Sequence, residues 1–461
     1  MPDLDAFQTA LQERLPALRR AHGVPAASIA VGIGDRGAVA ADGVLNLATG
    51  VTATTDAVFQ IGSITKAFTA TLVMQLVDDG LLDLDAPIVD VLPGLRLSGA
   101  PADRGITARR LLAHTAGFEG DVFDDTGAGD EALRDYAALL ADRTPALFPP
   151  GALWSYNNAG YCLLGRIVEV LRAQTWERAL RERILDPLRL DHAAVDAAEA
   201  VLRRTAVGHL APEPGAALAP VPVWSMGRSN APAGSMLAMR AADLLTFARL
   251  HRDAGAAADG ARVLSPASAE AMRRSRVRLP DIAQGVGWGL GWELFDHGGC
   301  ALFGHDGSTI GQSALLRVEP GRGIFVAVLA NGGGGRALAA EILGDVLAEF
   351  AEAPRPAPPE PSGEPLGETH RYEGRYASAT SVTEVRRGRD GALLLERTPV
   401  GIAAEVGDAP YRTGLVRWRG DSFLPTEAED GVRQPVAFLG DDGAGRALFL
   451  HAGRADRRVA S

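Results

Sequence analysis

The sequence is poor in lysine and cysteine and contains no long apolar run. Lys66 is the single lysine among 46 basic residues, and all the others are arginines. Two cysteines in 461 residues are too few for a disulfide framework, and we expect Cys162 and Cys300 to be buried free thiols. No apolar stretch approaches the roughly 20 residues of a membrane-spanning helix. The net charge of −11 argues against nucleic acid as a partner, because phosphate binding needs a basic face.

The amino-terminal segment also lacks the pattern of an export signal. Residues 1–25 have no basic start, no apolar core and no small-residue cleavage site. We therefore expect a cytoplasmic protein. The nine histidines show no H-E-x-x-H or other paired spacing of a metal site, so we expect neither a metal nor another cofactor.

One break in composition divides the chain. Residues 352–368 are rich in proline and have no apolar periodicity, as in a semi-rigid linker. The sequence therefore predicts a large domain at 1–351 and a small one at 369–461. In the large domain, strand patterns at both ends enclose helical segments, which predicts an α/β (α+β) fold with one antiparallel sheet flanked by helices. In the small domain, short strands separated by turn signals predict an antiparallel β-barrel.

The lone lysine follows a serine by three positions, in the segment FQIGSITKAF. Residues 63–78 form a predicted, mostly apolar helix, on which the Lys66 amine can reach the Ser63 hydroxyl. Burial lowers the pKa of a lysine and makes it a possible base, which an arginine cannot be. The structural alternatives are a helix N-cap for Ser63 and a snorkelling or salt-bridged side chain for Lys66. In this arginine-rich chain, a purely structural Lys66 would have tolerated arginine.

Two other polar patches carry candidate residues. In WSYNNAGY, the Tyr156 phenol can relay a proton if a cation lowers its pKa, and the Asn158 amide can bind a lysine and a substrate carbonyl. A turn with asparagine as helix cap explains this patch equally well. In FGHDGSTIG, His305 is a candidate polar group or a structural hydrogen-bonding residue. Gly307 would let a substrate backbone lie against a predicted strand, and the N–H of Ser308 would polarise a carbonyl.

In this order, SITK, YNN and HDG resemble the S-x-x-K, Y-x-N and [K/H]-x-G motifs of the serine β-lactamase and penicillin-binding-protein superfamily. The spacing between the three motifs is similar to that in its class C β-lactamase and D-stereospecific peptidase/esterase branch. The segment LLAHTAGF also resembles a connecting segment of that branch. The resemblance covers roughly residues 10–350. It implies a β-lactamase/transpeptidase-like catalytic domain. His305 stands where true β-lactamases usually have lysine, which weakens an interpretation as an antibiotic-resistance enzyme.

The same resemblance implies a role for each motif residue. Ser63 would be the nucleophile that forms an acyl-enzyme, Lys66 its base, and Tyr156 a partner in proton transfer. Asn158 would orient Lys66 and the substrate, and His305 would contribute polarity and orientation. The backbone N–H groups of Ser63 and Ser308 would form the oxyanion hole.

The layout of both domains resembles the stand-alone penicillin-binding-protein-type thioesterases of nonribosomal peptide pathways, which carry a lipocalin-like C-terminal domain. This implies a peptidyl thioester on a peptidyl carrier protein, with a D-configured C-terminal residue. Ser63 would take the peptide, and the peptide's own amine would then close a macrolactam. Arg454 in the tail is a candidate for steering the peptide, with a surface role as the alternative. Two further functions stay open: a D-aminopeptidase, D,D-carboxypeptidase or esterase, and a non-catalytic binding protein.

Overall fold

A computed structural model describes residues 3–97, 100, 101, 103–213, 215–355, 357–389, 391–405, 409–429 and 432–460. The helices in these ranges are α1 (Leu4–Ala21), α2 (Thr65–Asp78), α3 (Ala108–Leu112), α4 (Ala132–Arg143), α5 (Asn158–Arg172), α6 (Trp176–Leu180), α7 (Ala197–Ala200), α8 (Ala241–Arg252), α9 (Pro266–Arg273), α10 (Gly335–Ala351) and α11 (Gly401–Glu405). Short 3-10 turns lie at Gly62–Ile64, Ile88–Asp90 and Arg228–Ala233, and a π-helical turn lies at Arg181–Leu185.

The strands before the proline-rich segment are β1 (Ala26–Ile33), β2 (Arg36–Asn46), β3 (Val51–Thr52), β4 (Phe59–Gln60), β5 (Arg96–Leu97), β6 (Ala100–Pro101), β7 (His209–Leu210), β8 (Ala219–Pro220), β9 (Ala238–Met239), β10 (Val277–Arg278), β11 (Gly287–Trp288), β12 (Glu293–His297), β13 (Cys300–Thr309), β14 (Gln312–Glu319) and β15 (Ile324–Ala330). Those after it are β16 (Gly374–Ala377), β17 (Ser381–Arg387), β18 (Leu393–Pro399), β19 (Tyr411–Arg419), β20 (Ser422–Pro425), β21 (Val436–Leu439), β22 (Phe449–His451) and β23 (Ala455–Val459).

The predicted mixed fold with an antiparallel sheet is confirmed. The main sheet has nine strands in the order β10-β11-β12-β13-β14-β15-β1-β2-β3. β1 lies between β15 and β2, with Ala30 opposite Ala327 on one side and Val39 on the other. The two ends of the domain therefore build one sheet. Alternate β1 side chains enter two cores, Ala30 facing the layer that holds α2, α5 and α8, and Ile29 facing α1 and α10.

The predicted barrel is also confirmed, as a closed antiparallel sheet of β16 to β23. Its core holds large apolar side chains such as Tyr376, Phe423 and Phe438. Strand β23 closes the ring by pairing with β16, where Tyr376 lies opposite Arg458. Strands β20 and β23 have weak signals in the sequence, because β20 is four residues long and β23 carries the charged run ADRR.

Cys162 and Cys300 are buried and free, as the sequence predicted. Within the described ranges, no helix combines the length and the apolar character needed to cross a membrane.

Candidate active site

Ser63 and Lys66 meet at the start of α2. Lys66 Nζ donates a hydrogen bond to Ser63 Oγ at 3.1 Å and a second one to the carbonyl oxygen of Ala233 at 2.6 Å. The Lys66 side chain is completely buried. Among the described residues no side chain caps α2, whose N-cap position is Ile64 and not Ser63. The geometry that the S-x-x-K motif predicts, a serine hydroxyl against a buried amine, is present.

Burial gives the Lys66 amine an unusual acidity. Desolvation, with a further contribution from the Arg454 charge, lowers the pKa of Lys66 from 10.5 to about 7, while Cys162 and Asp121 act in the opposite direction. A substantial fraction of the amine is therefore unprotonated at neutral pH. One N–H bond goes to Ala233, and the lone pair is free to accept the Ser63 proton. This is the arrangement of a nucleophile beside its general base.

The Tyr156 ring lies between charged neighbours. Its centre is 4.8 Å from Lys66 Nζ and 4.8 Å from the Arg454 guanidinium carbon. Burial nevertheless raises the pKa of the phenol above its usual range, with Ser63 and Arg454 only partly offsetting it. The hydroxyl forms no hydrogen bond of regular geometry to a described residue, although Ser63 lies close enough to lower the pKa of the phenol. The phenol is thus protonated at rest, and the expected lowering of its pKa by a cation is outweighed by burial.

The predicted orientation of Lys66 by Asn158 is not found among the described residues. The Asn158 amide donates instead to Asp121 Oδ1 at 2.6 Å, and Ala233 supplies the second partner of the lysine. The helix cap belongs to the preceding residue, since Asn157 Oδ1 accepts the N–H of Gly160 at 2.6 Å. Asn158 is therefore tied to a buried carboxylate rather than to the base.

Strand β13 lies directly against the turn that carries the nucleophile. A Cβ added to Gly62 would lie 2.5 Å from the backbone nitrogen of Ser308, so this nitrogen faces the residue before Ser63. The two backbone N–H groups predicted for an oxyanion hole, those of Ser63 and Ser308, are thus neighbours. A Cβ added to Gly307 would lie 1.9 Å from the carbonyl oxygen of Ile61. The protein's own backbone therefore already requires glycine at this position, and the predicted contact with a substrate backbone stays a prediction.

His305 is buried beside this strand. Its Nδ1 lies 2.5 Å from the carbonyl oxygen of Asp306, which can only accept, so Nδ1 carries the proton. Burial, reinforced by the Lys66 charge, lowers the pKa of His305 to about 3. The ring is neutral at physiological pH, and its unpartnered Nε2 is an acceptor close to Tyr156, with ring centres 6.2 Å apart. This fits the predicted role of a polar group rather than a base.

The barrel takes part in the site through the segment between β22 and β23. Arg454 Nε donates to Asp121 Oδ2 at 2.9 Å, which links the barrel to the residue that holds Asn158. Three hydrogen bonds join this segment to the residues around the tyrosine: Tyr156 N–H to Gly453 O at 3.0 Å, Ala455 N–H to Ser155 Oγ at 3.1 Å, and His451 Nε2 to Trp154 O at 2.9 Å. Of the barrel residues that make these contacts, Arg454 was predicted from the sequence, whereas Gly453, Ala455 and His451 were not.

Other chemistry at the site is limited. Burial raises the pKa of the Cys162 thiol to about 12, so this neighbour of Lys66 is no nucleophile at neutral pH. In the part of the chain that the structure describes, the His, Cys, Asp and Glu side chains form no group of three or more that could hold a metal ion.

Comparison with known proteins agrees with this geometry. The Beta-lactamase family profile matches residues 7–348. The chain belongs to the β-lactamase family. It is 45% identical over 373 residues to "Penicillin-binding protein 4" of Amycolatopsis lactamdurans, covering 79% of this chain and 97% of that protein. Members of this family are serine hydrolases or acyltransferases, and the Ser63–Lys66 pair suits either.

Two solved structures extend the comparison. The crystal structure of SurE is 31% identical to this member of the β-lactamase family, with a TM-score of 0.78, and the match covers 99% of this chain and 100% of SurE. The D-stereospecific amidohydrolase from Streptomyces sp. is 26% identical, with a TM-score of 0.60, covering 76% of this chain and 99% of that one. The SurE likeness thus includes the barrel, whereas the amidohydrolase matches about three quarters of the chain.

Proposed function

We propose that this enzyme releases and cyclises a nonribosomal peptide. Its substrate is a peptidyl thioester on a carrier protein, with a D-configured C-terminal residue, and its product is a head-to-tail macrolactam. The observation that carries the proposal is the junction of barrel and site, where Gly453 and Arg454 contact Tyr156 and Asp121. A barrel that walls the nucleophile on one side suits a reaction that must hold a long peptide near the acyl-enzyme and limit access of water.

The chemistry follows from the positions of the side chains. The Lys66 amine takes the Ser63 proton while Ser63 Oγ attacks the thioester carbonyl. The N–H groups of Ser63 and Ser308 hold the oxyanion. The tetrahedral intermediate then collapses, so that the C–S bond breaks and the C–O bond to Ser63 remains, and the leaving thiolate takes a proton from the Lys66–Tyr156 pair. In the second step the peptide's amine attacks the ester, the C–N bond forms, the C–O bond breaks, and Ser63 recovers a proton from the amine through Lys66.

Configuration and partner are also proposals. SurE, to which the chain is similar over almost its whole length, has been solved with D-Leu, which supports a D residue at the acyl position. Arg454 is the candidate for steering the peptide, since its side chain is 40% exposed while its guanidinium stays near Tyr156. A carrier protein would present the thioester, and we propose that the enzyme meets it in the cytoplasm.

A hydrolase is the second candidate. The likeness to the D-stereospecific amidohydrolase from Streptomyces sp. favours it, because that protein is by name a hydrolase with a preference for D substrates, and hydrolysis can use the same acyl-enzyme. The two reactions differ only in what removes the acyl group from Ser63, the peptide's amine or water.

The test is a linear peptidyl N-acetylcysteamine thioester, made with either a D or an L C-terminal residue, with products resolved by mass. We expect a cyclic product from the D-ended substrate and none from the Ser63→Ala variant. Linear acid alone, formed equally from both substrates, would overturn the cyclase and leave the hydrolase. Failure of a fluorophosphonate to label Ser63 would contradict both and revive a non-catalytic binding protein.

A further inference from the structure

We propose that His114 is a positioning residue for Tyr156, holding the phenol where it can take part in acylation of Ser63. The proposal rests on the acyl-enzyme chemistry above but not on whether an amine or water completes the reaction. His114 follows α3 in the segment LLAHTAGF and is completely buried. Neither the motifs nor the proton transfers described so far make use of it.

Three contacts join His114 to the short segment that carries the tyrosine. Its backbone carbonyl accepts the N–H of Ser155 at 2.9 Å. Its Nδ1 accepts the N–H of Asn157 at 3.0 Å. Its ring stacks on the Tyr156 ring, with centres 4.3 Å apart and planes inclined by 29°. One residue thus holds the backbone on both sides of Tyr156 and the ring itself.

The stacked ring matters because no hydrogen bond of regular geometry to a described residue fixes the Tyr156 hydroxyl beside Ser63. The position of the phenolic oxygen therefore depends on what packs against the ring. Lys66 and Arg454 approach the ring at 4.8 Å each, but the charge of Lys66 changes when it takes the Ser63 proton, and Arg454 is paired with Asp121. The neutral His114 ring is a fixed partner, since burial and the Lys66 charge hold its pKa well below the usual range.

The backbone of His114 has an unusual conformation. Its φ is +57°, in the left-handed region that non-glycine residues seldom adopt. In this conformation the carbonyl and the side chain of His114 reach residues 155 and 157 at the same time. Strained backbone of this kind persists where the surrounding structure holds it, and it is common at functional sites.

The test variant is His114→Asn in the full chain. Asparagine keeps an acceptor at the Nδ1 position and tolerates a positive φ, so the change preserves the backbone contacts and removes the ring with its packing on Tyr156, Trp288 and Tyr161. The probe is p-nitrophenyl acetate, whose burst amplitude counts competent sites and whose burst rate reports acylation. A matched control is His251→Asn, which removes another fully buried histidine, one that contacts Thr71 and Trp292 instead of the site.

We expect His114→Asn to be acylated on the order of 100-fold more slowly at saturating ester. The burst amplitude should stay near one per chain, and the apparent affinity for the ester should change little. His251→Asn should lower the melting temperature and leave the burst rate within about twofold. A burst rate for His114→Asn like that of the wild type, or a loss seen only as a smaller amplitude, would overturn the positioning role. A wild-type chain that gives no burst and whose Ser63 is not labelled by a fluorophosphonate would instead overturn the acyl-enzyme and this inference with it.

Discussion

At the scale of one residue, the lowered pKa of the Lys66 amine suits the proposed role as a base. Lowering the pKa of Lys66 from 10.5 to about 7 means that the folded protein destabilises the charged amine by about 5 kcal/mol relative to the neutral amine. The hydrogen bonds to Ser63 and Ala233 recover part of this cost. A lysine with only a structural role would be replaced by an apolar residue or an arginine without loss. The proposed role as a base accounts for a lysine here, because a base needs an amine that can lose its proton.

Lys66→Arg should keep the fold and lose acylation. The guanidinium stays protonated and cannot take the Ser63 proton, so we expect the burst of p-nitrophenyl acetate to fall by at least about 1,000-fold. Circular dichroism and thermal unfolding report the fold, and intact-protein mass reports acetylation of Ser63. The surface exchange Arg104→Lys, at a residue paired with Asp90, serves as the control. An arginine variant that acylates at a near-normal rate would show that Lys66 is not the base.

The same pKa predicts how acylation and stability depend on pH. Acylation should rise with pH around a midpoint of about 7, where Lys66 loses its proton. Between this value and 10.5 the unfolded chain holds a proton that the folded chain lacks, so the free energy of unfolding should increase with pH across this window. Lys66→Met should remove this pH dependence and stabilise the fold by up to about 3 kcal/mol near pH 8. Denaturant titrations of both chains at several pH values check this, and equal pH slopes would contradict it.

At the scale of elements, the site is assembled where the turn at Gly62–Ile64 meets β13 and the 3-10 turn at Arg228–Ala233. Glycines allow these backbones to touch. A Cβ on Gly62 would lie 2.5 Å from Ser308 N, and one on Gly234 would lie 2.3 Å from Gly62 O. The backbone N–H groups proposed for the oxyanion are therefore positioned by contacts between elements and not by any side chain.

Gly307→Ala should consequently harm acylation more than its small size suggests. Its Cβ would press on Ile61 O and push β13 away from Ser63, and removal of oxyanion donors typically costs 100-fold or more in rate. We expect a loss of on the order of 100-fold in the burst rate. Gly37→Ala is the matched control, since this strand glycine has its nearest neighbour, Val31 O, at 3.8 Å. Similar burst rates in the two variants would show that β13 does not carry the oxyanion donor.

Local patterns and long-range contacts account for what the sequence could and could not predict. The helices α2 and α5 and the β1–β2 hairpin follow from periodicity within short windows. The motifs likewise located Ser63 and Lys66. The lysine's second partner is a backbone carbonyl 167 residues away, at Ala233, and a backbone atom has no side-chain signature in a sequence. His114 reaches Asn157 across 43 residues through a backbone conformation that no local pattern encodes.

At the scale of the whole molecule, the barrel contributes Arg454 to the surroundings of the candidate active site. Arg454 is 40% exposed and pairs with Asp121, which is 8% exposed and also holds Asn158. Around this pair, Trp154, Trp288 and Ala437 form an apolar contact between the two domains. The barrel thus controls both the surroundings of Tyr156 and the electrostatic field at Lys66, because the positive charge of Arg454 lowers the pKa of the lysine.

This coupling predicts a shift in pH dependence from a change in the barrel alone. In Arg454→Met the positive charge near Lys66 disappears, and Asp121, which raises the pKa of the lysine, loses its neutralising partner. Both effects favour the charged amine, so the midpoint of acylation should move to higher pH. The free energy of unfolding should fall by about 1 kcal/mol, a modest amount because Arg454 is partly exposed. Arg412→Met removes a barrel arginine paired with Glu396 and should leave the midpoint unchanged. The burst of p-nitrophenyl acetate measured across pH separates the two variants. An unchanged midpoint in Arg454→Met would mean that the barrel covers the site without influencing its base.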